Sequence, residues 1–214
     1  MKIQPIVEGQ GDVAAVPVLL RRLRDEAQVW NLDIGRPHRA PRTRLVKKDV
    51  LQPLVRIAAL QQDCAAILVL FDADDDCPKD LAPVLEGWAR EAAGPMPCAV
   101  VMANREFEAW FLASVETLRG AAAILPAASS HPDPELPRDA KGELEQRMRE
   151  GASYSAAVDQ AALTSRIDLA EVYGRCRSFR KLVSAFGALA SAAGAPPDPW
   201  PPASWLPWRD PGHL

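Results

Sequence analysis

Short apolar runs separated by amphipathic stretches organise the first half of the chain. Ile3, Ile6 and Val7 mark a short strand that ends in the turn Gly9-Gln10-Gly11-Asp12. Val16, Leu19, Leu20 and Leu23 then recur at helical spacing, which predicts a helix to about Trp30 with Asp12 as its N-cap. Pro17 falls within its first turns, where proline does least harm. Asp33 to Arg36 is a candidate second strand, and Arg36 to Lys48 reads as a basic loop. Val50, Leu54, Ile57, Ala58 and Leu60 predict a second helix over 49–62. Residues 65–71 form a continuous apolar run, the pattern of a strand buried on both faces in a parallel sheet. A third helix is expected over 78–93, then an apolar strand over 98–102 ending in Asn104-Arg105-Glu106-Phe107-Glu108.

Beyond Gly120 the pattern changes. Residues 127–138 are rich in Pro, Ser and Asp and read as a loop. Helical stretches follow at about 140–150, 155–163, 166–174 and 178–193, with no further long apolar strand. Strands alternating with helices imply an α/β fold, an open parallel sheet flanked by helices, here with a helical C-terminal half. The expected division is an α/β metal-binding domain over 1–120, a helical extension packed on it over 121–195, and a Pro/Trp-rich tail over 196–214. That tail holds seven of the twenty prolines and three of the six tryptophans, and its tryptophans are expected to dock on the body.

Composition narrows the class. The chain has 214 residues, 48% hydrophobic and 25% charged, enough for a sizeable core and incompatible with disorder throughout. No run of 18 apolar residues is present, so no membrane span is expected. The first residues read as a strand rather than a secretory signal, and Cys64, Cys77, Cys98 and Cys176 form neither a CxxC pair nor a disulfide framework. A cytoplasmic location is the expectation. Net charge is −3 but unevenly spread: residues 20–50 hold nine Lys/Arg against four Asp/Glu, and residues 72–80 hold five Asp and one Lys. A basic stretch and an acidic knot together suggest a phosphate-bearing substrate and a metal; a solvated helix face beside an acidic loop is the plainer alternative.

Acid stands at or just beyond the carboxyl end of each of the three confident strands, where open parallel sheets bind ligands. The first gives Glu8 and Asp12, the second Asp72 and Asp74, the third Glu106 and Glu108. Clustered carboxylates repel unless a cation or proton compensates them. Oxygen donors without His or Cys point to Mg²⁺, Mn²⁺ or Ca²⁺ rather than zinc. Gly9 and Gly11 would let the backbone approach a phosphate. Taken singly, Asp72-Ala73-Asp74 could be a capping loop, and Glu8 could pair with Arg105. Because Glu106 and Glu108 lie two apart, one of them is expected to be structural. Asp75, Asp76 and Asp80 read as loop or cap residues. His38, His131 and His213 are isolated and not expected to be ligands. Neither a P-loop nor a G-x-S-x-G elbow is present.

The marks Ile6-Val7-Glu8-Gly9-Gln10-Gly11-Asp12 and Leu70-Phe71-Asp72-Ala73-Asp74 resemble the Toprim domain of topoisomerases, primases and the overcoming-lysogenization-defect nucleases. That resemblance implies a metal-ligand or general acid/base role for Glu8, Mg²⁺-holding roles for Asp72 and Asp74, and a further acid at Asp12. The blocks IVEGQGDVAAVPVLLRRL, AILVLFDADDDCP, VVMANREFEAWFLAS, RDAKGEL and RCRSFRKL are similar to a narrower group, the Toprim-like domain-of-unknown-function family 4276. Its members look like bacterial proteins, some encoded beside AAA-type ATPases in phage-defence or mobile loci. Glu106 matches a block of that family and is carried as a site residue.

Further candidates come from the basic residues. Lys141 could neutralise a phosphate oxygen in the transition state or be a solvated helix lysine. Arg177 and Lys181 are four apart and share a helix face; with Arg42, Arg44, Lys47 and Lys48 they are candidates for substrate phosphate, or simply line an exposed surface. The expected activity is a Mg²⁺- (or Mn²⁺-) dependent nuclease acting on DNA or RNA, in bacterial defence or genome maintenance and gated by an AAA-type ATPase. Glu8 and Lys141 would be catalytic, and Glu8, Asp12, Asp72, Asp74 and Glu106 would bind metal. A homodimer is plausible for a small enzyme. The competing reading is a non-catalytic regulatory or scaffold partner of such an ATPase. A haloacid-dehalogenase-type phosphatase, suggested by Leu-Phe-Asp-Ala-Asp, is disfavoured by the early Glu8 strand and the lack of a clear following Thr and Lys pair.

Overall fold

The computed structural model describes residues 1–206. In chain order it forms β1 (Lys2–Val7), α1 (Gln10–Glu26), β2 (Asp33–Ile34), β3 (His38–Arg39), α2 (Arg42–Leu45), α3 (Lys48–Ala59), β4 (Cys64–Asp72), α4 (Pro78–Ala93) and β5 (Cys98–Ala103). The helical half follows: α5 (Glu108–Leu112), α6 (Val115–Leu118), α7 (Ala140–Glu145), α8 (Ala156–Thr164), α9 (Leu169–Arg175) and α10 (Arg177–Ala192), then a 3₁₀ turn at Ala203–Trp205. Among the described residues no helix is long and apolar enough to cross a membrane.

All strand pairings are parallel, in the order β2-β1-β4-β5, with β3 also pairing β1. The fold is α/β, as expected. Alternate residues of the strands feed two apolar layers. Ile3, Leu68, Leu70, Val101 and Ala103 face α1 and the helical half, while Ile6, Ile67, Val69, Phe71, Val100 and Met102 face α3 and α4. A helix on one face after β1 and helices on the other around β4 make β1/β4 the point where the strand order reverses. In such sheets the crevice lies just beyond the carboxyl ends of those two strands. Glu8 and Asp72 stand there.

Several boundaries differ from the sequence expectation. The second strand is split: Gly35-Arg36-Pro37 interrupts it, and β3 re-forms on the last residues of β1. Pro37 has no N–H to offer a ladder. The expected basic loop is therefore partly ordered, as β3 and α2. The N-cap of α1 is Gly9, not Asp12. Asp12 lies three residues into the helix and reaches back, its Oδ2 accepting the Gly9 N–H at 2.8 Å. Gly11 does not leave room for a phosphate either. A Cβ there would stand 2.0 Å from Gln160 Oε1 and 2.5 Å from the Ala156 carbonyl, so this glycine lets α8 close onto α1.

The helical half shares one apolar cluster with α1 and the sheet. Phe107, Trp110 and Phe179 stack within it, and Trp110 Nε1 donates to Ser178 Oγ at 2.9 Å. In the tail, Trp200 donates from Nε1 to the Val183 carbonyl at 2.8 Å and lies on Gly187, with Trp205 against Trp200 and Tyr173. Trp208 and His213 lie outside the described residues.

Candidate functional site

Four carboxylates converge at the β1/β4 crevice. Glu8 follows β1, Asp12 is on the first turn of α1, Asp72 ends β4, and Glu108 opens α5. Asp72 Oδ1 accepts the Phe107 N–H at 2.9 Å, which fastens the end of β4 to the segment carrying Glu108. That segment turns sharply because Arg105 adopts φ +63°. Asp74, also left-handed at φ +50°, donates its N–H to the Arg105 carbonyl at 2.9 Å. Two left-handed residues thus lock the loops after β4 and β5 together.

The helical half completes the cluster. Gln160 Nε2 on α8 donates to Asp12 Oδ1 at 2.8 Å, so both Asp12 oxygens are held. The Tyr154 phenol lies beside Glu108. Tyr154 and Gln160 carried no signal in the sequence: Tyr154 lies in the irregular segment before α8 and Gln160 within alanine-rich α8, and only the packing of α8 on α1 brings them to the site.

The electrostatics show what the cluster lacks. Burial, then the Asp74 and Asp12 charges, push Glu8 up to about 7. Burial pushes Glu108 to about 7, and burial with the Glu108, Asp12 and Glu8 charges raises Asp72 well above the usual range. Among the described residues, none of Glu8, Asp12, Asp72 or Glu108 takes part in an ion pair. Among the described residues, Glu8 Oε2, Tyr154 Oη and Gln160 Oε1 are three of the four buried side-chain polar atoms without a hydrogen-bond partner. Such atoms call for a water or an ion. The donors are hard oxygens, which suits Mg²⁺ or Mn²⁺. Among the described residues, however, no group of three or more His, Cys, Asp or Glu side chains is arranged to hold a metal as it stands.

The other predicted residues fall into distinct places. Glu106 is held elsewhere by its hydrogen bonds: its Oε2 accepts the Lys141 N–H at 2.9 Å, anchoring the start of α7, and Asp139, Asp74 and Glu108 are its charged neighbours. Of the pair, Glu108 rather than Glu106 joins Asp72. Lys141 contributes its backbone to that contact and exposes its side chain. Arg42 is committed to the acidic knot. Its guanidinium donates to the Asp72 and Ala73 carbonyls at 3.1 Å each, pairs with Asp74 at 3.3 Å and contacts Asp76. The basic segment therefore lies at the same sheet edge as Asp72. Arg105 pairs with Asp75, together with Arg138, and not with Glu8.

Arg44 and Lys47 are exposed beside Arg42 and have no ion-pair partner among the described residues. Lys48 is drawn off to Glu91 at 2.9 Å, roughly 20 Å along α4 from Pro78 at about 1.5 Å per residue. Arg177 and Lys181 line a separate cavity beside β5.

The family model "Domain of unknown function (DUF4276)" matches residues 7–186. The chain belongs to this family. The match runs from the end of β1 into α10 and so contains all four inner carboxylates, Tyr154 and Gln160. No curated protein and no solved structure matches the chain.

Proposed function

We propose that this DUF4276 chain is a Mg²⁺-dependent phosphodiester-cleaving nuclease. The reading rests on one observation: three orphaned buried polar atoms border four carboxylates that no ion pair among the described residues compensates, at the switch point of a parallel sheet. The resemblance of the Glu8-Gly9 and Asp72-Ala73-Asp74 marks to Toprim nucleases supports it. Glu8, Asp72 and Glu108, with Asp12 behind them, are the residues that would hold Mg²⁺ or Mn²⁺. A bound ion supplies Lewis-acid polarisation of a phosphoryl oxygen and neutralises its charge.

The chain's own groups set the rest. In the ion-free fold Glu8 is raised to about 7; a bound ion would lower it, leaving a carboxylate that would take the proton of an attacking water near neutral pH. Gln160 and the Gly9 N–H fix Asp12, and the Phe107 N–H fixes Asp72. Arg44 and Lys47 approach a nucleic-acid backbone from the outer side, with Arg42 keeping the acidic loop in place. A role in bacterial defence, with an AAA-type ATPase as gate, belongs to the same proposal, since the chain has no nucleotide motif of the P-loop kind.

The test is cleavage of single- and double-stranded DNA and RNA with Mg²⁺, Mn²⁺ or chelator, with and without a candidate ATPase. Asp72→Asn is expected to lower cleavage by on the order of 100-fold, the equivalent of about 3 kcal/mol of lost charge stabilisation. Cleavage that survives chelator or this substitution overturns the reading. A non-catalytic regulatory or scaffold partner of an ATPase is the second reading, favoured by the absence, among the described residues, of three side chains arranged to hold an ion. It predicts no metal-dependent cleavage and unchanged partner binding in Asp72→Asn.

A further inference from the structure

A cavity of about 570 Å³ lies between α4, β5 and the start of α10. That size is within the roughly 300–1,000 Å³ range of small-molecule sites. Its floor is apolar: Pro78, Ala82 and Pro83 form the accessible surface, over the buried Val100 and Met102. Lys79, Arg177 and Lys181 stand around it. None of the three makes an ion pair among the described residues.

The two acids of the lining are already satisfied. Glu86 pairs with Arg90, and Glu135 accepts the Arg177 and Ser178 N–H groups at 2.9 Å each. With Glu86 paired to Arg90 and the Glu135 charge set against one of the three cations, the cavity keeps an excess of two positive charges over an apolar floor. Such a surface favours an anion with an apolar or planar body. It also adjoins the acidic site: Cys77 follows the acidic loop and Asn104 follows β5, and both line the cavity.

We infer that this cavity binds a nucleoside phosphate, its base against Pro78, Ala82 and Pro83 and its phosphate among Arg177, Lys181 and Lys79. The choice of a nucleotide among apolar anions rests on the nuclease reading of the neighbouring carboxylates. The nucleotide is either a unit of the strand held at that site or a free nucleotide.

The experiment is a calorimetric titration of adenosine 5′-monophosphate into the full chain in chelator. The variants are Asp72→Asn and the double substitution Arg177→Gln, Lys181→Gln. Both basic side chains are exposed, and the helix-capping contacts of Glu135 run to backbone and Ser178, so the double variant should melt like the wild type. Saturable binding is expected for wild type and Asp72→Asn, weaker by roughly tenfold or more in the double variant. Displacement of the monophosphate by a single-stranded oligonucleotide assigns the cavity to the substrate strand, and lack of displacement assigns it to a free nucleotide. The inference is overturned if nothing saturates, if the folded double variant binds equally well, or if inorganic phosphate binds as tightly as the nucleotide. Nucleotide binding without any cleavage removes the nuclease reading alone.

Discussion

Glu8→Gln should make the protein more stable, but only at neutral and alkaline pH. Glutamine keeps the shape of the side chain and removes its charge. In the fold Glu8 is pushed from 4.5 to about 7 by burial first and by Asp74 and Asp12 next. A shift of about 2.5 units would be worth about 3.4 kcal/mol in a fully enclosed site. Glu8 is only half-buried, and solvent screening reduces this to about 1–2 kcal/mol. The folded state holds the Glu8 proton more tightly than the unfolded chain does. Wild-type stability from this group is therefore complete below pH 4.5, falls as pH rises from 4.5 to about 7, and is level above that. The substitution removes the loss. Wild type and variant should melt together near pH 4.5, and the variant should gain about 1–2 kcal/mol above pH 7, or roughly 2–8 °C in Tm for a chain of this size. Thermal melts in chelator across that range measure the difference. A gain independent of pH, or a variant less stable at pH 8.5, refutes the assignment of Glu8 to an uncompensated acidic cluster. With excess Mn²⁺ the gap should narrow, because an ion bound to the folded state stabilises the wild type more.

Other substitutions separate neighbouring residues. Glu108→Gln should weaken Mn²⁺ binding in a calorimetric titration by roughly tenfold or more, while Glu106→Gln, whose carboxylate anchors α7, should leave it within about twofold. Arg42→Ala removes hydrogen bonds to two backbone carbonyls and the partner of Asp74 and Asp76, and should cost about 1–3 kcal/mol in urea melts at pH 8. Gly11→Ala should cost roughly 1–3 kcal/mol, since its Cβ meets the Ala156 carbonyl at 2.5 Å, and should lower metal affinity as α8 and Gln160 are pushed from Asp12.

Much of the fold was legible because its signals are local. The apolar run before Asp72 could only be a central strand, and the helix at Pro78–Ala93 follows from periodicity and a proline at its first turn. The region between Asp33 and Lys48 was not legible. Two-residue strands have no periodicity to read, and β3 exists only because the end of β1 is there to pair with. The cap of α1 lies three residues before Asp12 because an acid at N3, which accepts the N-cap N–H, and an acid at the N-cap, which accepts the N2 or N3 N–H, look alike in sequence.

The site shows the same division between local and tertiary information. Glu8 and Asp72 are fixed by strand ends, so a parallel sheet alone places them, whereas Asp74 is placed by the left-handed turn beyond β4 and its bond to the Arg105 carbonyl. Whether Glu106 or Glu108 faces Asp72 depends on the turn between β5 and α5, where Arg105 is left-handed and the Phe107 N–H is aimed at Asp72. Neither strand nor helix periodicity describes that turn. The basic residues divide by their partners rather than by their charge. Arg42 balances the outer acids Asp74 and Asp76, and Lys48 goes to Glu91. Among the described residues the inner acids Glu8, Asp72 and Glu108 form no ion pair, although nine Lys/Arg lie within residues 20–50 and Arg42 is near enough to lower Glu8. A cluster left uncompensated beside so many available cations is costly to the apo fold. In the ion-free fold protons meet that cost, since burial and mutual repulsion raise Glu8, Asp72 and Glu108 together; under the nuclease proposal a metal ion would take their place.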